Sequence, residues 1–225
     1  MSAAIRLEGV VPPPPCGDWP GPLDLEITEG VFCVICTPAA LTGPLLRLCA
    51  GLLEPTQGRV HVLGVEPARL DRREAQQFRR NLGVALQPGG LISNLTIRMN
   101  VIVPLLYSGA ADLDTASRRA DETLAAAGLA SWANFRPADV PPDVRREAVV
   151  ARAIARDPEL LLLEDPVASL RTSQAAWLID LCRQKARTAL IALPEPNGLL
   201  AQFADMSASW DEQGLQVTSH EVGIV

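Results

Sequence analysis

Apolar and polar residues alternate in some parts of this chain and run together in others, and the switches mark its elements. IRLEGVV (5–11) and LDLEIT (23–28) alternate as half-buried strands do, and the proline-rich PPPPCGDWPGP between them (12–22) admits only a loop. VFCVIC (31–36) is a short unbroken apolar run, the pattern of a strand buried on both faces. A helix is predicted from about Pro44, because proline suits a first helical turn. EPTQGRVHVLG (54–64) reads as a turn and a strand, REAQQFRRN (73–81) as a polar helix, and LGVALQ (82–87) as a strand.

The pattern then changes. TASRRADETLAAAGLA (115–130) and RREAVVARAIARD (145–157) are alanine-rich, charged and helically periodic, which predicts a helical insert over residues 87–154. After it come the apolar strand ELLLLEDP (159–166), ending in two carboxylates, the helix SQAAWLIDLCRQKA (173–186) and the strand TALIALP (188–194). Strands alternating with helices predict a parallel α/β sheet, with residues 1–86 and 155–225 as the core of a single domain and 87–154 as its helical subdomain. No internal repeat is visible, and the terminal HEVGIV (220–225) is too short to read.

Composition narrows the function classes. At 225 residues, 48% apolar, the chain is long enough for one sizeable core. Its net charge of −6 argues against nucleic acid as the main partner, since phosphate binding needs a basic face. The N-terminus lacks a signal pattern and no apolar run reaches the ~18 residues of a membrane span, so a cytoplasmic protein, free or peripheral at the inner face of a membrane, is expected. Cys16, Cys33, Cys36, Cys49 and Cys182 have no framework spacing, which fits a reducing compartment. Cys33 and Cys36 form C-x-x-C inside an apolar strand, and with His61 and His220 far apart no metal site is expected.

The stretch ICTPAALTGPLLRLCAGLLEPTQGRV (35–60) has the frame of a phosphate-binding loop: apolar strand, tight loop, helix. Where G-x-x-x-x-G-K-[ST] would stand, the chain has Cys36, four residues, Leu41, Thr42 and Gly43. Together with GRVHVLG, the strand leading to Gln87, the helical insert and RREAVVARAIARDPELLLLEDP, this order of pieces resembles the nucleotide-binding subunit of an ATP-binding cassette (ABC) transporter over essentially the whole chain. Among subgroups it most resembles subunits of lipid-trafficking importers of the Mla/Mce type. The resemblance implies a P-loop NTPase-like (RecA-like) core with an antiparallel β part and an inserted helical subdomain.

It also implies where the chemistry should be. Thr42 replaces the lysine and Gly43 the Mg²⁺-binding hydroxyl; Leu41 replaces a glycine, so its side chain is expected in phosphate space, and Pro38 removes one N–H from the cradle. The family signature aligns with Val140, Pro141, Pro142, Asp143 and Val144, which offer phosphate neither a hydroxyl nor a full set of N–H donors. The switch histidine falls at Pro194, the aspartate after S-x-L at Arg171, and the adenine-stacking aromatic near residues 12–15, where only prolines stand. The family's Asp-Glu appears as Glu164-Asp165, an exchange that moves each carboxylate by one methylene where catalytic geometry tolerates about 0.5 Å. Gln87 matches the family's metal- and permease-contacting glutamine, or is an exposed strand-end residue. Leu91, Ile92 and Leu95 line the permease-docking groove, or pack the helical subdomain.

Three readings follow. In the first, the chain is a catalytically degenerate cassette that scaffolds or docks a membrane transport complex, with no cofactor, paired with an integral-membrane permease, another cassette subunit, or both, as a homo- or heterodimer. In the second, it is a functional ATPase that uses ATP and Mg²⁺. The third is a soluble regulator, for which the groove should be polar.

Overall fold

The structure is a computed structural model that describes residues 2–107, 111–166, 172–183, 187–212 and 214–219, with the side chains of all of these except 172–174. The amino-terminal part is a three-stranded antiparallel sheet in the order β2-β1-β4, made of β1 (Ala3–Val11), β2 (Leu23–Thr28) and β4 (Gln57–Val62). β1 and β4 approach so closely at Gly58 (φ +80°) that a Cβ there would lie 2.3 Å from the carbonyl oxygen of Glu8, so the pairing requires glycine.

The second sheet has six strands in the order β5-β6-β7-β3-β8-β9. β5 (Leu82–Ala85), β6 (Leu160–Glu164), β7 (Thr188–Leu193), β3 (Phe32–Cys36) and β8 (Met206–Asp211) run parallel, and β9 (Gly214–Ser219) closes one edge antiparallel to β8. This is the α/β architecture expected from the alternation of elements. Because side chains alternate across a strand, the continuous apolar runs serve two cores at once. Leu160, Leu162, Cys33, Ile35, Leu190 and Ala192 face the first sheet and α1 (Ala39–Cys49). Leu161, Leu163, Phe32, Val34 and Ile191 face α5 (Pro142–Ile154), α6 (Thr172–Cys182) and α7 (Gly198–Phe203).

A third cluster joins α3 (Ile97–Tyr107), α4 (Leu113–Ala126) and one face of α5. Val144, Ala148 and Ala151 of α5 pack there, while Val149, Val150 and Ala153 pack on the sheet. One helix thus ties the helical part to the core through opposite faces. The remaining helix, α2 (Arg72–Phe78), begins with a capping box in which Asp71 accepts from the N–H of Glu74 and Glu74 from the N–H of Asp71.

Several elements depart from the sequence reading. α1 begins at Ala39, not near Pro44, which is its sixth residue. Ala39, Ala40 and Leu41 favour helix, and Pro38 in an extended conformation (φ −45°, ψ 139°) ends the loop before them. β5 stops at Ala85, two residues short of Gln87. Beyond Pro194 lie α7 and the β8–β9 hairpin, which the sequence reading did not assign. Arg171, Lys185 and residues 220–225 lie outside the described residues.

Leu162 is fully buried at the centre of the sheet. Leu162→Ala is expected to destabilise the fold by about 3 kcal/mol in urea unfolding, through lost transfer energy and the cavity left behind.

Candidate functional site

The carboxyl ends of four parallel strands meet at one edge of the sheet: Cys36 pairs with Leu193, Glu164 with Ala192, and Ala85 with Leu163. In open α/β sheets ligands collect outside this edge. Only Thr37 and Pro38 connect β3 to α1. Five of the eight positions matched to the phosphate loop, residues 39–43, are therefore wound into the helix. The N–H of Leu41 donates to the Pro38 carbonyl at 2.8 Å, the bond of a closing helical turn.

Leu41 corrects one expectation. Its side chain does not fill phosphate space but is 1% exposed in the core between the sheets. In a helix it shares a face with Leu45 and Leu48, and that face points inward. Pro38, Ala39 and Ala40 stay exposed.

The space over Gly43 is taken by other groups. A Cβ built on Gly43 would lie 2.3 Å from Nη1 of Arg47 and 2.9 Å from Oε1 of Glu164. Arg47 is one turn further along α1, and the missing side chain at 43 leaves room for its guanidinium. Glu164, 9% exposed, accepts from the Thr42 hydroxyl at 2.9 Å and from the backbone N–H of Gln87 at 2.7 Å. The Thr42 hydroxyl also lies 3.0 Å from the Ala39 carbonyl, and Arg47 Nη2 reaches the Gln87 carbonyl at 3.4 Å. Thr42, Gly43, Glu164 and Gln87, read separately from the sequence, are thus brought together, and Arg47, which the sequence reading missed, completes the group. Its spacing of four from Gly43 on a helix was the available signal.

Asp165 takes a left-handed conformation (φ +41°), with its N–H donated to the Ala192 carbonyl at 2.9 Å. Cys36 and Pro194 are half-buried beside one another at the ends of β3 and β7. Burial, followed by the charges of Glu195 and Asp211, pushes the Cys36 thiol above its ordinary range. Near residues 12–15 the chain does supply an aromatic, Trp19, but its ring stacks edge-on against Trp210 at 4.3 Å and its indole N–H donates to the Val10 carbonyl.

The signature-matched residues form the start of α5. Val140 and Val144 are buried, Pro141 is the N-cap, Pro142 the first helical residue, and both prolines are exposed while Asp143 is half-buried. Arg145 Nη1 turns back to the carbonyls of Val140 (2.8 Å) and Pro137 (3.1 Å). Of the docking candidates, Ile92 is 45% exposed, while Gln87, Leu91 and Leu95 are half-buried, with Leu91 packed against both the sheet-side and helical clusters. Buried Asn100 holds this loop: it accepts from the Ile92 N–H at 2.7 Å and donates to the carbonyls of Ile92 and Thr96. The sequence offered no sign of that role.

A family model described as ABC transporter matches residues 44–168, starting one residue beyond Gly43. An uncharacterized ABC transporter ATP-binding protein of Thermotoga maritima is 32% identical over 164 residues, 72% of this chain and 70% of that one. A methionine import ATP-binding protein of Salmonella typhimurium is 34% identical over 163 residues, 72% of this chain but 48% of that protein. The chain thus spans about half the length of the latter. Among solved structures, a dimeric ATP-binding cassette in a post-hydrolysis state with ADP and Pi superposes with a TM-score of 0.85 at 23% identity, over 96% of this chain and 98% of that one.

The shared space over Gly43 makes residues 43 and 47 energetically coupled. Gly43→Ala in a helix ordinarily gains about 0.5–1 kcal/mol, and here that gain is expected to be smaller beside Arg47 than after Arg47→Ala, which leaves only the tip of Glu164 to shift. A double-mutant cycle by urea unfolding should show this non-additivity. Burial pushes the thiols of Cys33, Cys49 and Cys182 up to about 12, so at pH 8 they remain protonated. A disulfide reagent should label half-buried Cys16 first and those three only after unfolding.

Proposed function

This chain belongs to the ABC transporter family, and we propose that within it the cassette is a structural subunit of a membrane transport system that holds its partner in one arrangement without binding or hydrolysing Mg-ATP. The observation carrying this reading is the occupied space over Gly43. Phosphoryl transfer depends on charge stabilisation by a loop lysine, a hydroxyl-held Mg²⁺ and inward N–H groups. Here position 42 has no lysine, and its hydroxyl is committed to Glu164 and Ala39. Nη1 of Arg47 stands where a side chain at 43 would begin. Guanidinium keeps its positive charge at any working pH, and it disfavours a divalent cation in the same place. The residues present do not fit a Mg-nucleotide, and we assign them no phosphoryl-transfer step.

The opposite face supports the same reading. Pro141 and Pro142 have no N–H to offer a phosphate held by a partner subunit, and Arg145 is turned to its own loop. A cassette pair that includes this chain is impaired at both composite sites. Exposed Ile92 beside half-buried Leu91 and Leu95 leaves apolar surface here, which favours docking of a permease's cytoplasmic segment over a soluble regulator. No described helix is long and apolar enough to cross a membrane, so in this reading the chain is held at the inner face by that partner. The lipid-trafficking importers that the sequence resembles supply the transported class we propose.

A second reading, an active ATPase with unusual motifs, is favoured by the relatives' description as ATP-binding proteins. A thermal melt with millimolar Mg-ATP separates the two. Ligand at 100 times its Kd stabilises a fold by about 2.7 kcal/mol. We expect no shift, in the wild-type chain or in Thr42→Lys, where Arg47 still covers Gly43. A concentration-dependent rise of several degrees overturns the first reading.

A further inference from the structure

At the edge away from the helical part, the six-stranded sheet ends in β9. Among the described residues its backbone bonds only to β8, so the outward N–H and C=O groups of this strand have no protein partner. Natural sheet edges are usually blunted by charge, proline or a bulge, because a row of unpaired backbone groups is a template for another strand. β9 reads GLQVTS, with no charge and no proline. Its register with β8 is unbroken from Met206–Ser219 to Asp211–Gly214, and residues 216–219 are exposed. Val217, at 46%, is one of them.

The two faces of the β8–β9 hairpin differ. Trp210 pairs with Leu215 and both pack into the core between the sheets, so Val217 carries an apolar face outward from that core. On the other face Ser207 opposes Thr218 and Ser209 opposes Gln216. These four residues line a cleft of about 260 Å³ that opens between the sheet and α7 and reaches Cys36. None of the described residues lining it is basic, and Glu195 and Asp211 stand close enough for their charges to act on the Cys36 thiol. Hydroxyl and amide groups inside, with carboxylates beside them, suit the donors of a cationic side chain.

We propose that an extended segment of a partner protein adds to β9 as a further strand, with apolar residues on the Val217 face and a basic side chain leaning over the cleft. Strand addition draws affinity from main-chain bonds and selectivity from alternate side chains. A second copy of this chain fits less well, because its β9 brings no cation and its hairpin adds the charges of Asp211 and Glu212. β9 and β5 are opposite edges of the sheet, so this surface is separate from the apolar one at Ile92, which follows β5 in the chain. The proposal stands whether or not the chain binds nucleotide.

The full chain is titrated against three labelled peptides of alternating threonine and valine: one with arginine in place of the central threonine, one with glutamate there, and the arginine peptide with its backbone amides methylated. The arginine peptide is expected to bind, more weakly as salt rises, and to slow hydrogen exchange at the amides of residues 214–219. The glutamate peptide should bind at least about fivefold more weakly, and the methylated one, which has no ladder donors, not at all. Glu195→Lys and Val217→Lys should each weaken the arginine peptide at least about fivefold, the first by charge and the second by blunting the edge. If Val217→Lys fails to fold, Glu195→Lys, in the exposed loop before α7, gives the same readout. Absence of binding by the arginine peptide, binding that leaves exchange at 214–219 unchanged, or equal binding of the glutamate peptide overturns the proposal. So does protection of β9 by concentration-dependent self-association of the chain alone, which would make a second copy the occupant.

Discussion

A carboxylate at the end of a strand buried on both faces needs donors, and Glu164 draws them from two distant segments of the chain. Leu160–Leu163 fill two cores, so β6 cannot shift without disturbing both, and Glu164 is delivered to a fixed point at the sheet edge. A polar side chain that is 9% exposed costs free energy unless hydrogen-bonded. Thr42 of α1 and the backbone of Gln87 meet that requirement, and Arg47 joins α1 to Gln87 a second time. The start of the helical part is thereby tied to the core at one place.

Gly43 acquires its meaning from this arrangement. A glycine in the middle of a helix is unfavourable by about 1 kcal/mol relative to alanine, and an exposed helical glycine would have no evident use. Here its missing Cβ is what lets a guanidinium and a carboxylate share the space above α1. A side chain at 43 would require the tips of Arg47 and Glu164 to shift from their present positions.

The helical part is fastened in three ways: α5 packs into both the sheet and α3–α4, Arg152 donates to the carbonyls of Gly89 and Gly90, and Asn100 holds the loop from Ile92 to Thr96. Each bond to a backbone carbonyl or N–H fixes a loop position irrespective of the neighbouring side chains.

Hydrophobic period alone determined most of the sheet. Continuous runs at 32–36, 160–164 and 188–193 admit only strands buried on both faces, and the motif order from Cys36 to Asp165 placed the loops at one edge because strands in a parallel sheet end together. The terminal hairpin escaped because its last strand, β9, is mostly exposed and carries no apolar period. The resemblance to the ABC cassette also brought Thr42, Gly43, Gln87 and Glu164 into a single list of candidates, although it could not say how they would be arranged there. Only the tertiary structure decided that Leu41 turns into the core, that Trp19 is occupied by Trp210, and that Arg47 covers Gly43. The reason is physical: the direction of a side chain is set by which face of its helix meets a sheet and by which distant donors a buried carboxylate finds, and neither is a property of neighbours in sequence.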